Sequence, residues 1–190
     1  MPGLTSSQTV GPFFHEALLR DGQTTLVKPA TQGVRIAIEG IVTDGAGAPV
    51  TDAMLEIWQA NGAGRYDHPA DTQDKPIDPA FHGFGRAGTD KTGHYRFETI
   101  RPGAVPGRGN SLQAPHIAVT LFTRGLLLHL TTRLYFAGEP LNDTDPVLAL
   151  VPDEAARRTL IATPVAGTAI PTYRFDIRLQ GDGETVFFEI

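Results

Sequence analysis

One stretch of the chain decides its fold: Leu55-Glu56-Ile57-Trp58-Gln59-Ala60-Asn61-Gly62-Ala63-Gly64-Arg65-Tyr66. It begins as a strand, because Leu55 and Ile57 fall on one face of the alternating pattern and Glu56 and Trp58 on the other. It ends in a turn whose glycines permit the positive φ that a sharp reversal needs. The stretch therefore predicts a strand that delivers Tyr66 to a loop at the rim of a sheet, where folds often carry functional sites.

Composition limits the class of protein. The chain has 190 residues, 41% hydrophobic and 19% charged, which predicts a single globular domain over residues 1–190. Its formal net charge of −5 argues against nucleic acid as a partner. It contains no cysteine, which excludes disulfides and thiolate metal sites. We expect neither a secretory leader nor a membrane span, and therefore a cytoplasmic protein.

Hydrophobic alternation and frequent glycine and proline predict a mostly β fold, a β-sandwich of short strands with long loops. Besides the quoted stretch, the alternation predicts strands over residues 35–43, 94–99, 116–123, 131–136 and 173–179. Residues 67–92 and 101–107 are rich in turn-forming residues and are predicted to be loops. One short helix is predicted over 152–162, because Pro152 suits a first turn and Asp153 suits the positive end of the helix dipole.

The N-terminal segment, residues 1–14, is polar at first and then runs into Gly11, Pro12, Phe13 and Phe14. Two adjacent exposed aromatic side chains are unfavourable in water. We therefore expect this arm to dock on the body of the protein or on another chain.

The residues at the rim raise the possibility of a ferric iron site, since tyrosinates and histidines on adjacent loops can hold Fe(III). Two histidines at positions i and i+2 of a strand share one face and can chelate one metal. His116 occupies the first such position, but Ala118 occupies the second. The approaching loop around Val105 offers no donor side chain.

Simpler structural roles compete with these functional ones. Isolated tyrosines and histidines such as Tyr66 and His116 often have only a structural role. Trp58 is expected in the core. Arg133 lies on a largely apolar strand, where a buried cation needs an anionic partner, either an internal Asp or Glu or a ligand. Four other histidines lack metal-ligand spacing and are expected in loops or on the surface: His68, His82, His94 and His129.

Five segments, spread along the chain, resemble the intradiol ring-cleavage dioxygenases. They are residues 55–60, Gly64-Arg65-Tyr66, Arg101-Pro102-Gly103, Ala114-Pro115-His116-Ile117 and Leu134-Tyr135-Phe136. The resemblance implies a site in which catalytic members hold non-haem Fe(III) with two tyrosines and two histidines. In this chain Tyr66 and His116 match one ligand of each kind. Val105 stands where the second tyrosine would be, and Ala118 where the second histidine would be.

A chain that lacks two of the four ligands resembles the non-catalytic alpha subunit of heteromeric family members. The sequences of residues 7–12, 132–136 and 173–178 also resemble that subunit. This implies that Fe(III) is bound by a beta partner chain, and that Gly11, Pro12 and Arg133 line the partner's pocket. The implied reaction is cleavage of 3,4-dihydroxybenzoate by O2 between its hydroxyl-bearing carbons, giving 3-carboxy-cis,cis-muconate. This chain alone is then expected to be inactive and to hold no metal.

Two alternatives stay open on the sequence. The chain could be a self-sufficient intradiol enzyme with substitute ligands such as His82 or Tyr135. It could also be a β-sandwich binding module with no enzymatic role. Iron in the chain purified alone would favour the first alternative, and co-purification with a ring-cleaving partner would exclude the second.

Overall fold

Strands dominate residues 11 and 17–189, which are the residues that the computed structural model describes. They are β1 (Arg35–Thr43), β2 (Met54–Trp58), β3 (Phe84–Gly88), β4 (His94–Ile100), β5 (Val105–Pro106), β6 (Leu112–Gln113), β7 (His116–Phe122), β8 (Leu130–Phe136), β9 (Ile161–Val165), β10 (Thr172–Arg174) and β11 (Ile177–Arg178). Helix α1 spans Glu154–Arg158, and 3-10 turns span Pro140–Thr144 and Leu148–Leu150. In this part of the chain no helix is long and apolar enough to cross a membrane.

The strands form two layers that meet at β9. One layer has the order β4-β1-β10-β9, and the other has the order β8-β7-β2-β3. Strand β9 pairs with β10 on one side and with β8 on the other, so it links the layers into a nearly closed sheet. The predicted β-sandwich is confirmed.

The main core lies between the layers. Inward residues of both layers form one cluster that includes Ile36 and Phe97 from the first layer and Leu55, Ile57 and Val119 from the second. Burying an aliphatic or aromatic side chain of this size stabilises the fold by roughly 1.5–3 kcal/mol. A second, smaller cluster covers the opposite face of β8 and consists of Ala114, Tyr135, Leu148, Val151 and Leu160. Both faces of β8 are therefore packed.

The prediction of a continuous loop over residues 67–92 was wrong, because β3 lies within it. The inward residues of this strand are Gly85 and Ala87, so the hydrophobic alternation that marks a strand is missing. A Cβ at Gly85 would lie 2.5 Å from Leu26 Cδ1. The segment before β1 lies alongside β3 here, since the Arg86 N–H donates to the Gln23 carbonyl at 3.1 Å, and a side chain at position 85 would have to displace that of Leu26.

The predicted helix over 152–162 was too long. Helix α1 begins after Asp153, whose carboxylate accepts from the Ala156 N–H at 2.8 Å, and it ends before Thr159. Leu160 is buried in the smaller core cluster, and Ile161 begins β9 opposite Tyr135. Of the two apolar residues predicted to be helical, Ile161 therefore belongs to strand β9, and Leu160 is the residue just before it.

The predicted strand over 173–179 is broken into β10 and β11. At the break, the Asp176 carboxylate accepts from the backbone N–H of Ile41 at 3.0 Å, replacing a strand–strand bond. The Phe175 carbonyl lies so close to Gly40 that a Cβ there would be 1.9 Å away. The alternation of inward and outward residues survives the break, which explains why the sequence pattern did not show it.

Candidate functional site

The outer face of the second layer carries the predicted site residues side by side. In the strand register, Ala118 lies opposite Trp58 of β2 and opposite Arg133 of β8. Two residues earlier in β7, His116 lies opposite Tyr135. Residues directly opposite each other in a sheet point to the same face, so these five share one surface.

The turn after β2 is shaped by the side chain of Asn61. Its Oδ1 accepts from the N–H groups of Ala63 and Arg65 at 2.9 and 3.0 Å, and its Nδ2 donates to the Pro76 carbonyl at 2.9 Å. An asparagine that binds the backbone ahead of it stabilises a tight turn. This turn carries Tyr66 over the outer face of the sheet.

Gly64 brings the Tyr66 loop against the loop that holds Val105. Its φ is +81°, and a Cβ there would lie 2.0 Å from the Ala104 carbonyl oxygen. Lys75 fastens the same contact, because its Nζ donates to the carbonyls of Gly64 at 3.2 Å and of Ala104 at 2.9 Å. Any larger residue at position 64 would separate the two loops.

The prediction that residues 101–107 are entirely irregular was wrong at Val105 and Pro106. These two residues form β5, which pairs with Leu112 and Gln113 of β6 in a short hairpin. The hairpin fixes Val105 and Gln113 beside the strand that carries His116.

Together these elements enclose a cleft of about 540 Å³. It is lined by Trp58, Tyr66, His68, Ala70, Asp71, Thr72, Gln73, Val105, Pro106, Gln113, His116 and Arg133. Of the predicted site residues, Tyr66, Val105, His116 and Arg133 therefore meet in one place. Ala118 lies outside the lining and borders an adjoining cavity of about 620 Å³ that also includes Arg133 and Gln113.

The expectation that Trp58 belongs to the core was wrong. Its ring is only partly buried and stacks on Tyr66, with ring centroids 5.7 Å apart and planes 16° apart. The alternation along β2 places Trp58 on the face of the strand that does not carry the buried residues Leu55 and Ile57. The sequence pattern therefore indicated that Trp58 lies outside the core. A flat aromatic wall along the cleft results.

Tyr66 and His116, the two metal-donor candidates in the cleft, are neutral at pH 7. Burial raises the pKa of the Tyr66 hydroxyl, an effect that nearby Arg133 opposes and Asp71 reinforces. Burial, and to a smaller degree the charge of nearby Arg133, lower the pKa of His116 to about 4. The His116 Nδ1–H donates to the Ala114 carbonyl at 2.7 Å, which leaves Nε2 as the acceptor of the ring.

Arg133 has no internal acidic partner in the part of the chain that the structure describes, since none of its ion pairs includes this residue. The guanidinium instead donates from Nη1 to Gln113 Oε1 at 2.6 Å and also contacts the Tyr135 hydroxyl. The sequence left two partners open for Arg133, an internal Asp or Glu or a ligand. The described residues provide no internal carboxylate for it.

The substitute ligands considered for a self-sufficient enzyme lie elsewhere. His82 is on the surface and pairs with Asp67, and neither lines the cleft. Tyr135 is fully buried beneath the cleft, and its hydroxyl donates to Asp145 at 3.2 Å. Among the surface histidines, His68 does reach the edge of the cleft, which its sequence context did not indicate.

Of the N-terminal arm, Gly11 alone is described, and it is partly exposed with φ +74°. Pro12, Phe13 and Phe14 lie outside the described residues. Docking of the arm stays a prediction.

Comparison with known proteins shows which family the chain belongs to. The family described as "Dioxygenase" matches residues 9–181. The "Protocatechuate 3,4-dioxygenase alpha chain" of Burkholderia cepacia is 44% identical over 98% of this chain and 97% of its own length. The chain belongs to the intradiol dioxygenases.

Two further proteins, one of them a solved structure, are similar to this chain. The "Protocatechuate 3,4-dioxygenase beta chain" of Burkholderia cepacia is 44% identical over 80% of this chain and 67% of its own length. The solved dioxygenase domain of a dioxygenase carbohydrate-binding protein fusion from Streptomyces sp. SirexAA-E is 29% identical with a TM-score of 0.64. That match covers 97% of this chain and 100% of the solved one.

Intradiol dioxygenases imply non-haem iron, but the residues of this cleft do not fit it. Tyr66 and His116 offer two donors, whereas the side chains of Val105 and Ala118 are hydrocarbon. Within residues 11 and 17–189, no group of three or more His, Cys, Asp or Glu side chains could hold a metal ion. The Arg133 guanidinium adds a positive charge to the same cleft, which disfavours binding of a cation there.

Sequence reasoning did not single out Gln73 or Gln113, and both line the cleft. Gln113 directly precedes the Ala114-Pro115-His116-Ile117 motif, so its position beside the site was available in the sequence. Gln73 lies in the excursion after Tyr66 and donates from Nε2 to the Gly64 carbonyl at 3.1 Å. No local pattern marks it.

Proposed function

We propose that the chain is the alpha subunit of a heteromeric protocatechuate 3,4-dioxygenase that acts in the cytoplasm. The enzyme cleaves 3,4-dihydroxybenzoate between its two hydroxyl-bearing carbons, and both atoms of O2 enter the product, 3-carboxy-cis,cis-muconate. The beta partner chain binds the Fe(III) that activates the substrate toward O2. The observation that carries this proposal is the pair of hydrocarbon side chains, Val105 and Ala118, at two of the four ligand positions in a fold that is otherwise retained.

The role of this subunit is to complete the partner's pocket. We propose that Gly11 and Pro12 of the arm, together with Arg133, contribute to that pocket. The polar start and aromatic end of residues 1–14 support a docking role for the arm, because apolar area buried between subunits stabilises an obligate assembly.

Co-expression with the beta chain tests the proposal. The two chains should co-purify and convert 3,4-dihydroxybenzoate with uptake of one O2 per substrate. Deleting residues 1–14 should weaken the complex and lower its activity together, whereas deleting residues 1–8, which spares the Gly11–Phe14 segment, should do so less. Full assembly and unchanged kinetics after the longer deletion would show that the arm does not form the shared pocket.

A further inference from the structure

The cleft of this chain contains a positive charge that forms no ion pair with any residue the structure describes. Arg133 lines it, and Asp71, the acidic residue of this lining, is bound by its own loop. The Asp71 carboxylate accepts from the N–H groups of Tyr66 at 2.7 Å and Gln73 at 3.1 Å, and from Gln73 Nε2 at 3.0 Å. A partly buried guanidinium without a carboxylate partner favours an anionic ligand.

One wall of the cleft suits a flat ring. Trp58 and Tyr66 are stacked with their ring planes 16° apart, and Val105 and Pro106 add apolar surface to the lining. Aromatic rings gain from such offset stacking beyond the apolar area they bury. A volume of about 540 Å³ is in the range of small-molecule sites.

Neutral polar groups complete the lining. The Tyr66 hydroxyl can donate, and the Nε2 acceptor of His116 is left without a proton because Nδ1–H is committed to the Ala114 carbonyl. These groups match a ring hydroxyl, which both donates and accepts. Gln113 holds the guanidinium in place through the 2.6 Å bond from Arg133.

We propose that this cleft is a metal-free binding site for a small aromatic carboxylate, in which Arg133 pairs with the carboxylate and the ring lies against Trp58 and Tyr66. The donors that a metal would need are gone, and the guanidinium supplies fixed positive charge in their vicinity. The inference concerns a site inside this chain and does not depend on the proposed activity of the complex.

The single tryptophan of the chain provides the measurement, because Trp58 lines the cleft. The full-length chain, treated with a chelator, is titrated with 4-hydroxybenzoate, which has a carboxylate but lacks the adjacent hydroxyl pair of a cleavable substrate. Saturable quenching of Trp58 fluorescence is expected, with at least about tenfold weaker binding of the uncharged 4-hydroxybenzyl alcohol. Absence of saturable binding would overturn the proposal.

Two arginine variants identify the residue responsible. Arg133→Gln should weaken 4-hydroxybenzoate binding by about tenfold or more, since one charge-assisted hydrogen bond is lost. Arg158→Gln, which removes an exposed arginine on α1 that pairs with Glu154, is the matched control and should bind as the wild type does. Equal affinities in both variants would contradict the assignment to Arg133.

A second measurement covers the case in which the chain folds only with its partner. Equilibrium dialysis without O2 counts bound 4-hydroxybenzoate in the assembled complex, and iron is counted in the same sample. The proposal predicts one more ligand than iron for each copy of this chain. Equal counts would overturn it, whatever the activity of the complex.

Discussion

Arg133 stands directly opposite Ala118 in the antiparallel pairing of β7 with β8. Directly opposed residues have Cβ atoms about 4.5–5.5 Å apart on the same face of the sheet. The position that would carry the second histidine of an iron site therefore has a guanidinium as its cross-strand neighbour.

This relationship predicts what restoring a metal site requires. The double variant Val105→Tyr and Ala118→His should bind little Fe(III), because the charge of Arg133 opposes the ion. Adding Arg133→Gln should raise the iron content and produce a tyrosinate-to-iron visible band. Arg158→Gln in place of Arg133→Gln is the control, and equal iron loading in the two triple variants would refute the electrostatic explanation.

The contact between the two loops predicts a large effect at Gly64. Gly64→Ala should reduce the free energy of unfolding by more than about 2 kcal/mol, since it adds backbone strain at φ +81° and a clash with the Ala104 carbonyl. Gly125→Ala is the control for strain alone, because Gly125 has φ +84° with nothing within 4 Å of a Cβ. Denaturant unfolding that gave equal losses for both would show that the close approach is unimportant.

His116 predicts a pH dependence of stability. Its pKa falls from 6.5 to about 4 on folding, so the unfolded chain binds more protons between these values. Stability should therefore decrease as pH falls from about 6.5 to about 4, with a contribution from His116 on the order of 3 kcal/mol. His116→Gln should flatten this part of the profile, measured by denaturant unfolding. His129→Gln removes an exposed imidazole outside the cleft, and an equal flattening there would contradict the assignment.

Arg133 also predicts a kinetic effect in the assembled enzyme. Arg133→Ala should lower kcat/KM for 3,4-dihydroxybenzoate, mainly through a higher KM. The decrease should correspond to a loss of about 1–3 kcal/mol in transition-state stabilisation, as expected when one charge-assisted hydrogen bond is removed. Catechol, which has no carboxylate, should be affected less. This measurement tests the proposed place of Arg133 in the partner's pocket, and unchanged kinetics would leave Arg133 to the cleft of its own chain. Equal losses on both substrates would instead assign Arg133 to the subunit contact.

The sequence predicted those elements whose side chains alternate clearly. Strands β1, β2, β4, β7 and β8 carry large apolar residues at most of their inward positions, so the sequence period agrees with the observed burial. Strand β3 was missed because its inward positions are Gly85 and Ala87, and a side chain at position 85 would meet Leu26 of a distant segment. Long-range packing of this kind leaves no local pattern.

The cleft was only partly predictable for a related reason. Tyr66, Val105 and His116 lie in motifs whose positions could be matched one by one. The neutral Gln113 partner of Arg133 and the stacking of Trp58 on Tyr66 depend on how separate loops meet over the sheet. One domain over residues 1–190 with an arm at 1–14 stays a prediction, since residues 1–10 and 12–16 lie outside the described part of the chain.

The division of labour between the two chains is tested most directly by purifying this chain with and without the beta chain and measuring iron and O2 uptake on 3,4-dihydroxybenzoate. The chain alone should be colourless, contain far less than one iron per polypeptide and consume no O2, because two donors, Tyr66 and His116, cannot close an iron site. The co-purified complex should contain one iron per pair of chains and consume one O2 per substrate. Stoichiometric iron and ring cleavage by the chain alone would contradict the account.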